Sequence, residues 1–178
     1  MNGRASTLDI KNRIIERDGW EQLYQQEMPR IYNFFRYRFQ DDQMAEDLTA
    51  VTFEKAWRRR LSYKKDKAAF TTWLFTIAKN VAIDHLRQQK EQIEMGDYFS
   101  ANDPSPEEIL QQKEHLAKLK QLLDKLPERE QEIIALKYGA ALNNREIARI
   151  TTLSAANIGI ILFRTVRKLR HQWETTNE

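Results

Sequence analysis

The chain has 178 residues, of which 31% are charged, with a formal net charge of +3 and no cysteine. No uncharged apolar run approaches the ~18 residues needed to span a bilayer, and the charged N-terminus does not read as a signal peptide, so direct membrane insertion is not expected. The lack of cysteine excludes a disulfide framework and a thiolate metal site and fits a cytoplasmic protein, while five glycines and four prolines in the whole chain favour helices.

Residues 1–19 read as a lead-in, with a short helix from about Leu8 to Glu16 closed by Gly19. From Trp20 to Phe39, Leu23, Ile31, Phe34, Phe35 and Phe39 recur at mostly helical spacing, and Pro29 is expected to bend or break that helix. Asp41 and Asp42 make a stop and an N-cap for the next helix, roughly Asp42 to Arg60, which turns Met44, Leu48, Val51 and Phe53 toward a core. A basic loop follows, in which Arg58, Arg59, Arg60, Lys64, Lys65 and Lys67 surround Tyr63.

The loop leads into Phe70 to Lys90, a stretch with no helix breaker. Phe70, Trp73, Leu74, Ile77, Ala78 and Val81 fall on one arc of the helix, and Phe75, Ala82 and Leu86 extend it. Thr72, Thr76, Lys79, Asn80, Ile83, Arg87 and Lys90 share the remaining narrow wedge. Any core helix keeps one solvated stripe, so the wedge alone does not establish a binding surface.

Residues 91–108 hold six acids and no lysine or arginine, the composition of a linker. Pro106 with Glu107 and Glu108 suits the first turn of a helix to Leu126, carrying Ile109, Leu116, Leu119, Leu122, Leu123 and Leu126 as its apolar stripe. Pro127 opens a further helix through Lys137, with Ile133, Ile134 and Leu136 inward, and Tyr138 to Leu142 reads as a turn. Asn143 then caps a short helix and Ser154 a longer one, with Thr151 to Leu153 between them, in a helix-turn-helix pattern. Arg164, Arg167, Lys168 and Arg170 give the last helix four cations and no acid between Thr151 and Trp173. The fold class expected is all-α: two small helical domains at 20–90 and 109–173 joined by a flexible acidic linker at 91–108, with the lead-in at 1–19 and a tail at 174–178.

A basic loop carrying an aromatic, followed by a helix with an amide and cations on one face, suits gripping a phosphate backbone beside unstacked bases. A helix-turn-helix ending in a cationic helix suits duplex DNA, although such patterns also occur in purely structural bundles. An enzyme is not expected: adjacent Asp84 and His85 diverge on a helix, and no serine or cysteine nucleophile stands near them by motif. Asp41, Asp42, Glu46 and Asp47 fit neither an EF-hand loop nor a histidine-containing zinc site, so neither a metal nor another cofactor is expected.

Four segments, in order, carry a resemblance: AEDLTAVTFEKAW (Ala45 to Trp57), FTTWLFTIAKNVAIDHLRQQK (Phe70 to Lys90), LPEREQEIIALKY (Leu126 to Tyr138) and LNNREIARITTLSAANIGIILFRTVRKLR (Leu142 to Arg170). The chain resembles bacterial RNA polymerase sigma factors of the extracytoplasmic-function group over nearly its whole length. The resemblance implies that Glu46, Asp47, Leu48, Phe53 and Trp57 belong to a helix that binds core RNA polymerase. It implies that Tyr63, Lys64, Lys65, Thr76, Lys79, Asn80, Ile83 and Arg87 recognise and open the minus-10 element of promoter DNA. It places Arg145, Ser154, Asn157, Ile160, Arg164, Arg167 and Lys168 on the minus-35 element as duplex, and it makes an anti-sigma factor a further partner of a chain that is otherwise a monomer when free.

Two departures stand out. Ala50 and Val51 replace polar or acidic residues usual in the family, and Gly159, Ile160 and Ile161 stand where lysine, serine and arginine are common. Gly159 inside a helix costs about 1 kcal/mol relative to alanine. Weaker or unusual minus-35 recognition is therefore expected, with Ile160 left to meet thymine methyl groups. The competing readings are a helix-turn-helix regulator that binds DNA without polymerase and a helical adaptor that binds only protein; the first unit distinguishes them, because an ordinary regulator has no use for a strand-opening helix.

Overall fold

The structure, a computed structural model, describes residues 17–64, 68–94 and 110–175. Among these the elements are α1 (Arg17–Phe39), α2 (Asp42–Arg59), a 3-10 turn (Arg60–Ser62), α3 (Phe70–Glu94), α4 (Leu110–Asp124), α5 (Glu128–Ile134) running into a π-helical segment (Ala135–Gly139), α6 (Asn144–Thr151) and α7 (Ala155–Thr175), with no strand. The expected helix at Leu8 to Glu16, Lys65, and most of the acidic linker lie outside the described residues.

Helix α1 continues through Pro29 without a break, so of the two outcomes expected there, a bend or a break, the break does not occur. Pro29 and Gln25, four residues earlier, both sit on the exposed side of the helix. Water can satisfy the carbonyl that Pro29 leaves without a donor, so one missing rung does not end the helix. Asp41 caps α2 as expected, its carboxylate accepting from the Met44 N–H at 2.8 Å.

Helices α1, α2 and α3 close over a shared core in which Ile31, Phe34, Phe35, Ala45, Ala56, Leu74, Phe75 and Ala78 are fully buried. Phe34 meets Phe35 at 5.0 Å and Phe75 at 6.0 Å between ring centres. Val51, expected inside, is instead exposed, whereas Thr49 and Thr52 are buried. Their hydroxyls donate to the Ala45 and Leu48 carbonyls at 2.6 and 2.7 Å, so each threonine enters the core with its polar atom satisfied and turns Val51 outward. In the second half, Leu122, Leu123, Leu126, Ile133, Leu136, Leu142, Ile147, Ile150, Ile158 and Leu162 are buried. Leu119, expected in that stripe, is 38% exposed; Ile109 lies outside the described residues.

The two halves are in contact, and α1 is the element between them. Its Glu27, 2% exposed, accepts from the Thr71 hydroxyl at the start of α3 at 2.6 Å and from Arg30 at 3.0 Å. Arg30 Nε then donates to the Ala140 carbonyl, beyond the π segment, at 3.1 Å. The π segment packs so closely on α1 that a Cβ built on Gly139 would lie 2.7 Å from the Asn33 carbonyl oxygen.

Helices α6 and α7 follow with the chain bending by 105° between them, the geometry of a helix-turn-helix. Asn143 caps α6 by accepting from Arg145 and Glu146, and Glu146 returns a bond to the Asn143 N–H at 2.8 Å. Thr152 ends α6 at φ 60°, a left-handed conformation that a β-branched residue rarely adopts.

Two stability measurements follow. Glu27→Ala should lower the unfolding free energy in urea by about 3 kcal/mol, because Arg30 and Thr71 lose a buried partner, while Glu27→Gln should lose less. Thr152→Gly should raise it by about 1 kcal/mol, since glycine takes the left-handed conformation without a steric penalty.

Candidate nucleic-acid and protein interfaces

Helix α2 presents one continuous exposed face, formed by Glu46, Asp47, Ala50, Val51, Glu54 and Trp57 at helical spacing. Leu48 and Phe53, which belong to the same helix, face the core as expected, at 8% and 6% exposure. They hold the helix and leave Glu46, Asp47 and Trp57 to any partner. Trp57 meets Trp20 edge-on at 5.2 Å and carries the Arg60 guanidinium 3.8 Å from its ring centre. Val51 was expected inward and Glu54 was not singled out, and the signal that would have placed both is register: once Thr49 and Thr52 are core, these residues must face out.

Helix α3 is strongly two-sided. Leu74, Phe75, Ile77, Ala78, Val81 and Ala82 are buried, while Thr76, Asn80, Ile83 and Arg87 form an exposed stripe. The Asn80 amide is unpaired among the described residues, Ile83 is 50% exposed, and Arg87 lies 3.6 Å from Asp84. Thr76 donates back to the Thr72 carbonyl at 2.7 Å. Thr72, counted in the wedge from sequence, is buried.

Tyr63 does not offer its ring for stacking. It is 3% exposed, lies against Phe70 and Trp73, and donates to the Ala68 carbonyl at 3.1 Å. Burial pushes its phenol above the ordinary tyrosine range. Tyr63 thus fixes both ends of the basic loop, and Lys64 is the exposed cation beside it.

In the helix-turn-helix, Ser154 caps α7 by accepting from the Asn157 N–H at 3.1 Å. Asn157, Ile160, Arg164, Arg167 and Lys168 are exposed, while Ile158, Leu162 and Thr165 are buried on the opposite side. Arg145 is exposed at the start of α6. Phe163, which sequence reasoning passed over as one more apolar helix residue, is 67% exposed on the flank beside Ile160 and Arg167.

Lys79, the cation at the edge of the α3 stripe, is turned toward the second half of the chain. Its Nζ lies 3.8 Å from Glu132 of α5 and 3.5 Å from the Ile150 carbonyl of α6. Burial raises the Glu132 carboxyl above the ordinary range, against the pull of Lys79, Arg38 and Arg129. Arg38, 7% exposed and hydrogen-bonded to Gln131, is lowered by the same desolvation. Beside this contact, Lys79, Ile83, Arg129, Glu132 and Thr151 line a hollow of about 510 Å³. One edge of the α3 stripe therefore faces the helix-turn-helix unit rather than solvent.

The acidic residues of the α1–α2 junction have structural partners. Asp41 is the α2 cap, and Asp42 receives Arg36 Nε at 2.6 Å, which holds its carboxyl below the usual range. Among the described residues no single helix is long and apolar enough to cross a membrane.

Two separate sequence families meet in this arrangement. Residues 23–92, which hold most of α1, all of α2 and almost all of α3, match Sigma-70 region 2, and residues 122–171, which hold α6 and most of α7, match Sigma-70 region 4. The sigma factor BldN of Streptomyces coelicolor is 31% identical over 158 residues, covering 86% of this chain and 60% of BldN. SigM of Bacillus subtilis is 30% identical over 154 residues, covering 84% of this chain and 92% of SigM. The chain belongs to the family of extracytoplasmic-function RNA polymerase sigma factors. In fold it is similar to the sigma factor RpoE of Bartonella quintana, solved in complex with the anti-sigma factor NepR, at TM-score 0.70 and 21% identity over 88% of this chain and 98% of that one. CnrH, solved with the cytosolic domain of CnrY, gives TM-score 0.70 at 20% identity, covering 93% of this chain and 98% of CnrH.

The contact between halves is open to a direct test. Gly139→Val places carbon atoms against the Asn33 backbone, so the variant should show a larger radius of gyration in small-angle X-ray scattering than the unaltered chain, with its helix content unchanged by circular dichroism.

Proposed function

We propose that this chain is an alternative sigma factor that binds core RNA polymerase, recognises and melts promoter DNA, and directs transcription initiation. The observation that carries the reading is the α3 stripe. Thr76, Asn80, Ile83 and Arg87 are held by a helix whose opposite side is buried, on the same chain as a cationic helix-turn-helix.

The α2 face of Glu46, Asp47, Ala50, Val51, Glu54 and Trp57 supplies the polymerase contact. Fewer charges than is usual in the family make this contact depend more on the apolar Val51 and Trp57. The α3 stripe binds the minus-10 element after strand separation: the Asn80 amide pairs with a base edge, Ile83 gives an apolar surface for unstacked bases, and Lys64 and Arg87 meet phosphates. No nucleotide hydrolysis is required, because the unpaired strand is stabilised by the binding energy of a surface already in place. Helix α7 reads the minus-35 element as duplex from the major groove.

The two promoter elements lie about 25 base pairs apart, or about 85 Å at 3.4 Å per base pair. Lys79 beside the minus-10 stripe touches Glu132 and Ile150 of the helix-turn-helix unit, so this arrangement cannot engage both elements at once. Polymerase binding separates the halves, and residues 95–109 could span at most about 50 Å between α3 and α4 when extended. An anti-sigma factor would act by holding the same two halves away from polymerase. The protein works in the cytoplasm, where polymerase and promoter are found, and as a monomer before it joins polymerase.

The deciding experiment is reconstitution. Core polymerase supplied with the purified protein should produce transcripts from discrete start sites on a genomic promoter library, and promoter affinity should fall steeply as salt is raised. Asn80→Ala should reduce open-complex formation, read by permanganate reactivity of unpaired thymines, at least tenfold while leaving polymerase binding unchanged. Tight duplex binding by the protein alone, with no start sites, would instead identify a regulator that acts without polymerase.

A further inference from the structure

Helix α7 carries an apolar pair where a duplex reader ordinarily carries hydrogen-bonding side chains. Ile160 is 50% exposed, three residues from Asn157 and four from Arg164 on their side of the helix, and Phe163, 67% exposed, flanks Ile160 about 60° further round. Gly159 beside them offers no side chain, and a Cβ built there would meet only the Asn144 amide nitrogen, at 3.6 Å. Ile160 and Phe163 are not needed by the core of the unit, since Ile158, Leu162 and Thr165 on the other side of α7 are the residues buried there.

The surroundings of the pair indicate what covers it. Phe163 lines two open hollows, one shared with Lys137, Arg167 and Arg170 and the other with Arg164, Arg167, Lys168 and Arg170, where Glu174 is the one acid. A cationic rim around an apolar centre complements a polyanion that displays apolar groups between its phosphates. In the major groove of DNA there is one such group, the C5-methyl of thymine. Cytosine, adenine and guanine lack that methyl, and an isoleucine or phenylalanine over their polar groups would desolvate them without compensation.

We propose that Ile160, with Phe163 beside it, reads thymine C5-methyl groups in the upstream duplex element, so that this chain selects its promoters partly by burying methyl groups. The inference rests on the assignment of α7 as the duplex reader. Asn157 and Arg164 supply the hydrogen-bonded part of the readout, and Arg167, Lys168 and Arg170 fix the helix on the phosphates.

The test uses deoxyuridine, which keeps every hydrogen-bonding group of thymine and lacks only the methyl. Upstream elements are selected from randomised duplexes with the full chain bound to core polymerase, then resynthesised with single thymine-to-uracil replacements. At each contacted thymine the replacement should weaken binding about fourfold, the effect of leaving one methyl-sized group unburied. In Ile160→Ala or Phe163→Ala that penalty should vanish at the position the residue reads, while the preferences set by Asn157 and Arg164 persist. Both side chains are exposed, so these variants keep the fold. Equal binding of thymine and uracil at every upstream position would overturn the inference and leave the sigma factor assignment standing; so would a uracil penalty that survives in both variants. Failure to enrich any upstream element would overturn the assignment of α7 as the duplex reader, and the inference with it.

Discussion

A single buried carboxylate ties the whole arrangement together. Glu27 sits inside α1 where water cannot reach it, and its charge is balanced by Arg30 and a hydroxyl bond from Thr71. Thr71 is the second residue of α3, so Glu27 fixes where that helix starts. Arg30 carries the same polar chain outward to the Ala140 carbonyl and so attaches the second half of the molecule to α1. A charge at that depth is tolerable only with its partners present, so Glu27 couples the placement of α3 to the Arg30–Ala140 part of the contact between halves.

From that constraint follows the division of labour on each helix. Core-facing Leu74, Ile77 and Val81 hold α3 still, and the stripe from Thr76 to Arg87 is rigid because of what lies behind it. Tyr63 plays the corresponding part in the basic loop: with its ring buried and its hydroxyl tied to Ala68, it shapes the loop that presents Lys64. In α2, Leu48 and Phe53 anchor the face that Glu46, Asp47 and Trp57 display. Each such surface is held in place locally by its own core, so little ordering of side chains is required of it on binding.

Much of this was legible in the amino-acid sequence. The period of Phe70 to Lys90 located both the core side and the stripe of α3; Asp41, Asn143 and Ser154 located three helix starts; and the helix-turn-helix followed from the last two. What was not legible has physical reasons. Pro29 looked like a break because sequence does not reveal which side of a helix is wet. Val51 looked like core because threonine scores as polar, yet Thr49 and Thr52 bury their hydroxyls against the backbone of their own helix. Tyr63 looked like a stacking platform because an aromatic among lysines suits that role equally well before its neighbours are known. The contact between halves was beyond reach altogether: it joins residues such as Lys79 and Glu132, or Asn33 and Gly139, whose proximity no local pattern encodes.

The α3 stripe and helix α7 belong to halves that meet in the free chain, through contacts such as Lys79 with Glu132, and the proposed roles put them on promoter elements that stand far apart. The chain contains no cysteine, so two can be introduced for spin labels without background, for example at Gln26 on α1 and His171 on α7, both exposed. Pulsed electron resonance should then report a single short distance distribution in the free protein, replaced by one several tens of ångströms longer when core polymerase and promoter DNA are added. An unchanged distance in the transcribing complex would contradict the account.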